Sequence, residues 1–159
     1  MRLDHDWIAS RIPHQFGMCL LDEVIEWTPA GIRCRSESHR APENPLRAHG
    51  RLGAACGIEY AAQAMAVHQG LLDVDSQFTS RSGLLASVRG VTLAVARLDD
   101  VETSIFASAT YVHSDEAMVL YEFTVSDATR VLLAGRATIA FGPAPAGQRP
   151  RQRPGQATS

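Results

Sequence analysis

The sequence has no apolar run long enough to cross a bilayer, which takes about 20 consecutive apolar residues. The N-terminal residues also lack the charged start, apolar segment and small-residue cleavage site of a secretory signal. We therefore expect no membrane span and a cytoplasmic location.

Cysteine is scarce as well. The three cysteines, Cys19, Cys34 and Cys56, are odd in number and have no C-x-x-C spacing. Because the chain also lacks an export signal, we expect neither a disulfide framework nor a zinc ribbon. We interpret the three side chains as small buried hydrophobic groups, and we expect no metal site.

Positive charge is scarce outside the C-terminal segment. Lysine is absent, and residues 1–142 carry 12 arginines against 17 acidic residues, a net charge of −5. A nucleic-acid-binding domain normally presents a basic face, so no nucleic-acid partner is expected. Residues 143–159 hold the other three arginines among Pro, Gly and Gln. That composition predicts a disordered tail behind a single domain formed by residues 1–142.

The patterning of the domain predicts a short helix, two strands, a long helix and four strands. The apolar run from Met18 to Trp27 and the alternating residues 32–38 flank a T-P-A-G turn and predict a hairpin. Residues 40–53 are dense in Pro and Gly and predict a loop. Residues 54–71 are rich in alanine and apolar on most of their circumference, which is typical of a buried helix. The remaining predicted segments are the short helix at 4–11 and strands at 84–98, 103–113, 117–126 and 130–141.

Short polar turns join the last strands and favour antiparallel neighbours. In the third of these strands Val119, Tyr121, Phe123 and Val125 alternate with more polar residues, as in a strand with one buried face. The predicted fold class is therefore α+β, with one buried helix against an antiparallel sheet.

Three motifs add a family resemblance. Residues 12–24 read I-P-H-Q-F-G-M-C-L-L-D-E-V, residues 43–46 read E-N-P-L, and residues 57–65 read G-I-E-Y-A-A-Q-A-M. In this order they resemble the hotdog-fold 3-hydroxyacyl-(acyl-carrier-protein) dehydratases of fatty-acid synthesis. The segments S-H at 38–39, N-P-L-R at 44–47 and G-I-E-Y-A-A-Q-A-M-A-V-H at 57–68 are closer to the divergent dehydratase branch of aryl-polyene pathways. The resemblance implies a hotdog fold, a long sheet wrapped around one central helix.

The catalytic glutamate of that family corresponds to Glu59, whereas the catalytic histidine has no clear counterpart. The fatty-acid enzymes carry it in G-H-F-P-G, and this chain reads A-H-G-R-L at 48–52. His39, which the closer branch shares, ranks first as the base and His49 second. His14, in the P-H motif, is expected to shape the substrate tunnel. His68 is interpreted as structural.

Two further residues are expected to bind substrate. Gln63 lies one helical turn after Glu59 and shares its face, so it is placed to hydrogen-bond to the carboxyl group or to satisfy a backbone partner. The backbone N–H of Gly57, at the predicted helix start, is a candidate donor to the thioester carbonyl.

The resemblance implies dehydration of a 3-hydroxyacyl group on acyl carrier protein to the trans-2-enoyl thioester, without a metal or redox cofactor. It also implies a homodimer, or a heterodimer with a second hotdog dehydratase. An acyl thioesterase and a non-catalytic partner subunit remain open as alternatives. Because carrier proteins are usually acidic, we expect docking on a local patch of Arg40, Arg47 and Arg51.

Overall fold

The structure is a computed structural model that describes residues 2–12, 18–73 and 83–141. Its helices are α1 (His5–Ala9) and α2 (Gly57–Asp73), with short 3₁₀ turns at Ser38–Arg40 and Ala54–Cys56. Its strands are β1 (Glu23–Thr28), β2 (Gly31–Ser36), β3 (Gly83–Leu93), β4 (Ile105–Ser114), β5 (Met118–Ser126) and β6 (Val131–Phe141). Residues 74–82, between α2 and β3, and the predicted tail at 143–159 lie outside the described residues.

The strands form one antiparallel sheet in the order β1-β2-β4-β5-β6-β3. Helix α2 packs across β2, β4 and β5. On β5 the alternating side chains predicted to share a face, from Val119 to Val125, are all buried. This is the arrangement of one helix against an antiparallel sheet that the patterning predicted.

One predicted strand is too long. Strand β3 ends at Leu93, not at residue 98, because the chain leaves β6 after a last bond from the N–H of Ala94 to Leu132 and then pairs with the loop that precedes α2. The N–H of Leu98 donates to the Leu52 carbonyl at 2.8 Å, and the N–H of Ala54 donates to the Ala96 carbonyl at 3.1 Å. Residues 94–98 therefore fix the approach to α2, a pairing that no local pattern in the sequence indicates.

Helix α2 is buried on one side and half-buried on the other. Its fully buried side chains include Tyr60, Met65 and Val67, and within the helix no residue is fully exposed. Because alanines and glycines make up much of the helix, the sheet approaches it closely. The approach is tightest at Gly57, where an added Cβ would lie 2.5 Å from Cδ2 of Leu133 on β6. A side chain at this position would therefore force Leu133 to shift.

Candidate active site

Glu59 lies in the first turn of α2 and is half-buried. The family motif places the acid here, and the helix geometry places Gln63 on the same face. The Nε2 of Gln63 lies 3.5 Å from Oε1 of Glu59, the outer limit of a hydrogen bond. The structure thus brings Glu59 and Gln63 together, as the spacing predicts.

The strong hydrogen bonds of Gln63 go elsewhere. Its Oε1 accepts from the N–H of Leu20 at 2.9 Å, and its Nε2 donates to the carbonyl of Met18 at 2.6 Å. The side chain is fully buried. Of the two roles that the sequence leaves open for Gln63, the geometry favours the structural one: it fastens the segment before β1 to the helix.

The predicted role of the Gly57 amide is not supported. A 3₁₀ turn, Ala54–Cys56, runs directly into α2, and the N–H of Gly57 donates to the carbonyls of that turn, Ala54 among them. The prediction from sequence assumed that Gly57 lies at a free helix end, where the first N–H groups lack partners. Its contribution here is steric, through the close approach to Leu133.

His39 lies in the 3₁₀ turn after β2 and is fully buried, with 0% of its surface exposed. Its Nε2 lies 2.9 Å from the carbonyl oxygen of Val101, which can only accept, so Nε2 carries the proton. Its Nδ1 is buried and has no hydrogen-bond partner. Burial, helped by the charge of Arg40, lowers the pKa of His39, although the backbone groups of Val101 and Thr103 oppose the shift. At neutral pH the ring is therefore neutral, with a bare nitrogen.

A hydrogen-bond chain ties the turn of His39 to the helix of Glu59. Asn44 donates to the hydroxyl of Tyr60 at 3.0 Å, that hydroxyl lies 2.7 Å from Oγ of Ser38, and Ser38 donates to the carbonyl of Leu20 at 2.8 Å. Ser38 precedes His39, and Tyr60 follows Glu59. These hydrogen bonds therefore connect the two candidate catalytic segments through buried and half-buried groups.

Sequence reasoning missed this role of Tyr60 and Asn44. Both lie inside the motifs that carry the family resemblance, at G-I-E-Y and E-N-P-L, but nothing in the spacing shows that they meet. Asn44 also donates to the carbonyl of Ser38 at 2.9 Å and accepts from the N–H of Leu46 at 2.9 Å. A buried Asn that uses both ends of its amide in this way fixes the loop path.

His49 occupies the tip of a two-residue turn. Ala48 and Arg51 exchange backbone hydrogen bonds at 2.9 and 3.1 Å, and His49 and Gly50 between them have positive φ values of 53° and 76°. Such a turn needs left-handed backbone at both central positions, which glycine adopts freely and histidine rarely. The His49 side chain is exposed. His14, the third histidine predicted near the site, lies outside the described residues.

Asp99 holds the end of this loop. It accepts from the N–H of Leu52 at 2.9 Å and forms an ion pair with Arg97 through two hydrogen bonds. The hydrogen bond from Arg97 is the main reason that the pKa of Asp99 lies well below its usual range. Together with the backbone pairing of residues 94–98, Asp99 fixes where α2 begins.

His68 belongs to a separate network at the other end of α2. Its Nε2 donates to the carbonyl of Thr28 at 2.7 Å, and its Nδ1 accepts from the hydroxyl of Tyr121 at 2.6 Å. Gln69 in turn donates to that hydroxyl at 2.6 Å. Burial lowers the pKa of His68. Both ring nitrogens are satisfied, which agrees with the structural interpretation of His68.

The three loop arginines differ in their partners. Arg40 forms an ion pair with Glu37 at 3.2 Å. Arg47 makes only long hydrogen bonds, to the carbonyls of Arg40 at 3.3 Å and Gly50 at 3.5 Å. Across residues 2–12, 18–73 and 83–141 no carboxylate pairs with Arg47 or with the exposed Arg51.

The described residues contain no cluster of three or more His, Cys, Asp or Glu side chains that could hold a metal ion. In the same part of the chain no helix has both the length and the apolar character that a membrane crossing needs. Cys19 and Cys34 are buried and Cys56 is half-buried, and none of them forms a disulfide with another described residue.

Comparison with solved structures shows the same fold in other proteins. A chain of the dehydratase heterocomplex ApeI:P from Xenorhabdus doucetiae is 22% identical, with a TM-score of 0.75 over 86% of this chain and 91% of that chain. A mutant thioesterase from Pseudomonas aeruginosa is 14% identical, with a TM-score of 0.60 over 87% of this chain and 93% of that chain. These matches confirm the hotdog fold.

Comparison with protein families identifies the sequence more closely. No curated protein sequence matches the chain. The family model of the ApeP-like proteins, described as ApeP dehydratase, matches residues 7–148, which include the whole sheet, helix α2 and the candidate site. The chain therefore belongs to the ApeP-like dehydratase family.

Proposed function

We propose that this subunit dehydrates a 3-hydroxyacyl group carried by acyl carrier protein and yields the trans-2-enoyl thioester. The base removes a proton from C2, the C2–C3 double bond forms as the C3–O bond breaks, and the acid protonates the departing hydroxyl so that it leaves as water. A histidine and a carboxyl group suffice for these two proton transfers. We assign the base to His39 and the acid to Glu59.

The observation that carries the proposal is the state of the His39 ring. One nitrogen is committed to the Val101 carbonyl, which fixes the tautomer, and the other is bare and buried without a partner. A buried polar atom without a hydrogen bond is uncommon and needs an explanation. We infer that this nitrogen is the general base and that substrate binding opens a path to it, and the lowered pKa keeps the ring neutral. His49, exposed on a turn, is the alternative base.

A second subunit is part of the proposal. Strand β3 forms an edge of the described sheet and presents large apolar side chains to solvent, among them Leu84 at 75% and Leu93 at 51% exposure. A long apolar edge strand invites pairing with another chain. The heterocomplex ApeI:P supports a second hotdog dehydratase as the partner, and a homodimer would cover the same edge.

Docking of the carrier is assigned to Arg47 and Arg51. Both are cations without a carboxylate partner among the described residues, whereas Glu37 already neutralises Arg40. Because the body of the chain is acidic, these two charges are what the loop offers to an acidic carrier. Neutralising them as Arg47→Gln and Arg51→Gln should weaken carrier binding, and Arg40→Gln, the matched control, should not. Equal carrier affinity in all three variants would remove this docking site.

The assay uses the subunit alone and together with a second hotdog dehydratase subunit, with 3-hydroxyacyl-carrier protein as substrate and mass spectrometry of the product. Loss of water to the enoyl thioester supports the proposal. Release of the free carrier thiol with the 3-hydroxy acid would instead establish a thioesterase, the activity named for the structural neighbour from Pseudomonas aeruginosa.

Base variants separate the remaining alternatives. His39→Ala should abolish dehydration, whereas His113→Ala, the control at an exposed histidine on β4, should leave it unchanged. Loss of activity in His49→Ala with full activity in His39→Ala would transfer the base role to His49. If His39→Ala, His49→Ala and Glu59→Gln all left the activity of the complex intact, this chain would be a non-catalytic partner subunit.

A further inference from the structure

The buried hydroxyl of Tyr60 lies at the junction of the two segments that carry His39 and Glu59. Tyr60 is fully buried in the first turn of α2, next to Glu59. Its hydroxyl accepts from Asn44 at 3.0 Å. The proton of Ser38 serves the carbonyl of Leu20 at 2.8 Å, so the Tyr60 hydroxyl donates its own proton to Ser38. Each hydroxyl and amide group of this hydrogen-bond chain then has a partner.

The same link closes a ring of contacts. The peptide of Leu20 is held at both ends: its N–H donates to Gln63 of α2 at 2.9 Å, and its carbonyl accepts from Ser38 and from Ser36, the latter at 2.5 Å. Tyr60 completes the ring because it joins α2 to Ser38 directly. The turn of His39 and the helix of Glu59 are therefore fastened to each other and to one common peptide.

We propose that Tyr60 is a positioning residue, whose hydroxyl holds the His39 turn in register with the Glu59 helix. This inference rests on the proposed function for its kinetic consequence, but the mechanical link can be measured without any substrate. Without the hydroxyl, Ser38 keeps its bond to Leu20 and Asn44 keeps its bond to the Ser38 carbonyl. Tyr60→Phe should therefore fold, with the direct link between turn and helix lost and only the indirect one through Leu20 and Gln63 remaining.

Tyr121→Phe is the matched control. Tyr121 is also fully buried, and its hydroxyl also has two side-chain partners, His68 and Gln69, at the opposite end of α2. The two variants remove the same atom from equally buried sites. Any effect of a lost buried hydroxyl on global stability is common to both, and only the location differs.

The first measurement is hydrogen exchange of the turn amides. The N–H of Arg40 donates to the Glu37 carbonyl at 3.2 Å, and the N–H of Ala41 donates to the Ser38 carbonyl at 3.1 Å. In Tyr60→Phe we expect these two amides to exchange about tenfold faster or more, and in Tyr121→Phe we expect them to change only as much as the core amides of β5 do. Equal acceleration in both variants would overturn the link.

The second measurement is steady-state dehydration. We expect Tyr60→Phe to lower kcat about tenfold or more with KM changed less than twofold, because a small displacement of a catalytic group slows the chemical step. Tyr121→Phe should keep kcat within twofold. Faster exchange with an unchanged kcat would overturn the positioning role. A wild-type subunit that dehydrates nothing, alone or in complex, would overturn the proposed function and, with it, the positioning role, while hydrogen exchange still decides the link.

Discussion

The side chain of Gln63 hydrogen-bonds to the backbone on both sides of Cys19: it accepts from the N–H of Leu20 at 2.9 Å and donates to the carbonyl of Met18 at 2.6 Å. This pair of bonds gives Gln63 a structural role. Gln63→Leu leaves two buried backbone groups without partners, and we expect it to lower the free energy of unfolding by about 2 to 4 kcal/mol, at about 1 to 2 kcal/mol for each group. Urea denaturation measures the loss.

The control for that prediction is Gln69→Leu. Gln69 is half-buried and makes a side-chain bond to Tyr121, so no backbone group loses its partner. A smaller loss than in Gln63→Leu is expected. If Gln63→Leu were as stable as the wild type and impaired only substrate binding, the substrate role predicted from sequence would be the correct one.

Gly57 and Gly70 lie in the same helix, but we expect alanine substitution to change the stability of the fold in opposite directions at the two positions. An alanine at Gly57 places its Cβ 2.5 Å from Cδ2 of the buried Leu133, so Gly57→Ala should destabilise the fold by about 1 to 3 kcal/mol. At Gly70 nothing lies within 4 Å of an added Cβ. Gly70→Ala should therefore stabilise it by about 0.5 to 1 kcal/mol, because alanine favours the helix.

Thermal unfolding of the two variants checks the pair. The double variant Gly57→Ala/Leu133→Ala removes the clash and should lose less stability than the sum of its single substitutions. Additive losses would show that the clash with Leu133 is not the cause.

Stability should fall as the solution becomes acidic. Burial lowers the pKa of His39 and of His68 in the folded state, so the unfolded chain binds more protons. Their contribution is fully present above the unfolded value of about 6.5 and is lost as the pH falls from there towards the folded values. We expect the free energy of unfolding to fall between pH 7.5 and 5.0.

Urea midpoints at several pH values measure this loss, and NMR titration of the histidine rings identifies its source. The rings of His39 and His68 should titrate at a lower pH in the folded protein than in the unfolded chain. A midpoint that is constant or rises on acidification, or rings that titrate with the unfolded value, would contradict the buried placement of the two histidines.

Two substitutions of Asp99 distinguish the contribution of its hydrogen bond to Leu52 from that of its ion pair with Arg97. Asp99→Asn keeps an oxygen for the N–H of Leu52 but discharges the pair with Arg97, whereas Asp99→Ala removes both. We expect Asp99→Ala to be less stable than Asp99→Asn by about 1 kcal/mol, the contribution of one buried hydrogen bond. Denaturation in low and high salt checks the assignment. If the two variants were equally unstable, the ion pair and not the loop contact would hold residues 94–99 in place.

The sequence predicted the fold well because period-two and helical patterns are local. The buried face of β5 from Val119 to Val125 and the buried helix α2 follow directly from spacing. Strand β3 was predicted five residues too long because residues 94–98 are as apolar as a strand, and only their distant partners at 52–54 divert them. Pairing between segments so far apart leaves no trace in either one.

The sequence proposes which residues form the candidate site but not how they are arranged. The family motifs single out Glu59, and helical spacing places Gln63 beside it. Whether a histidine is buried depends on the whole fold, so the bare Nδ1 of His39 and the exposed turn of His49 could not be derived from sequence. The same holds for the amide of Gly57, which is bonded because an unforeseen 3₁₀ turn precedes it.

The most direct test of the account is the dehydration rate of Glu59→Gln with a 3-hydroxyacyl-carrier substrate, compared with Glu43→Gln. Glu43 is an exposed carboxylate in the loop before α2, so its variant controls for the loss of one negative charge. We predict that Glu59→Gln, which cannot protonate the leaving hydroxyl, loses about 10²- to 10⁴-fold in kcat, while Glu43→Gln keeps the wild-type rate. A Glu59→Gln enzyme that turns over as fast as Glu43→Gln would contradict the assignment of Glu59 as the catalytic acid.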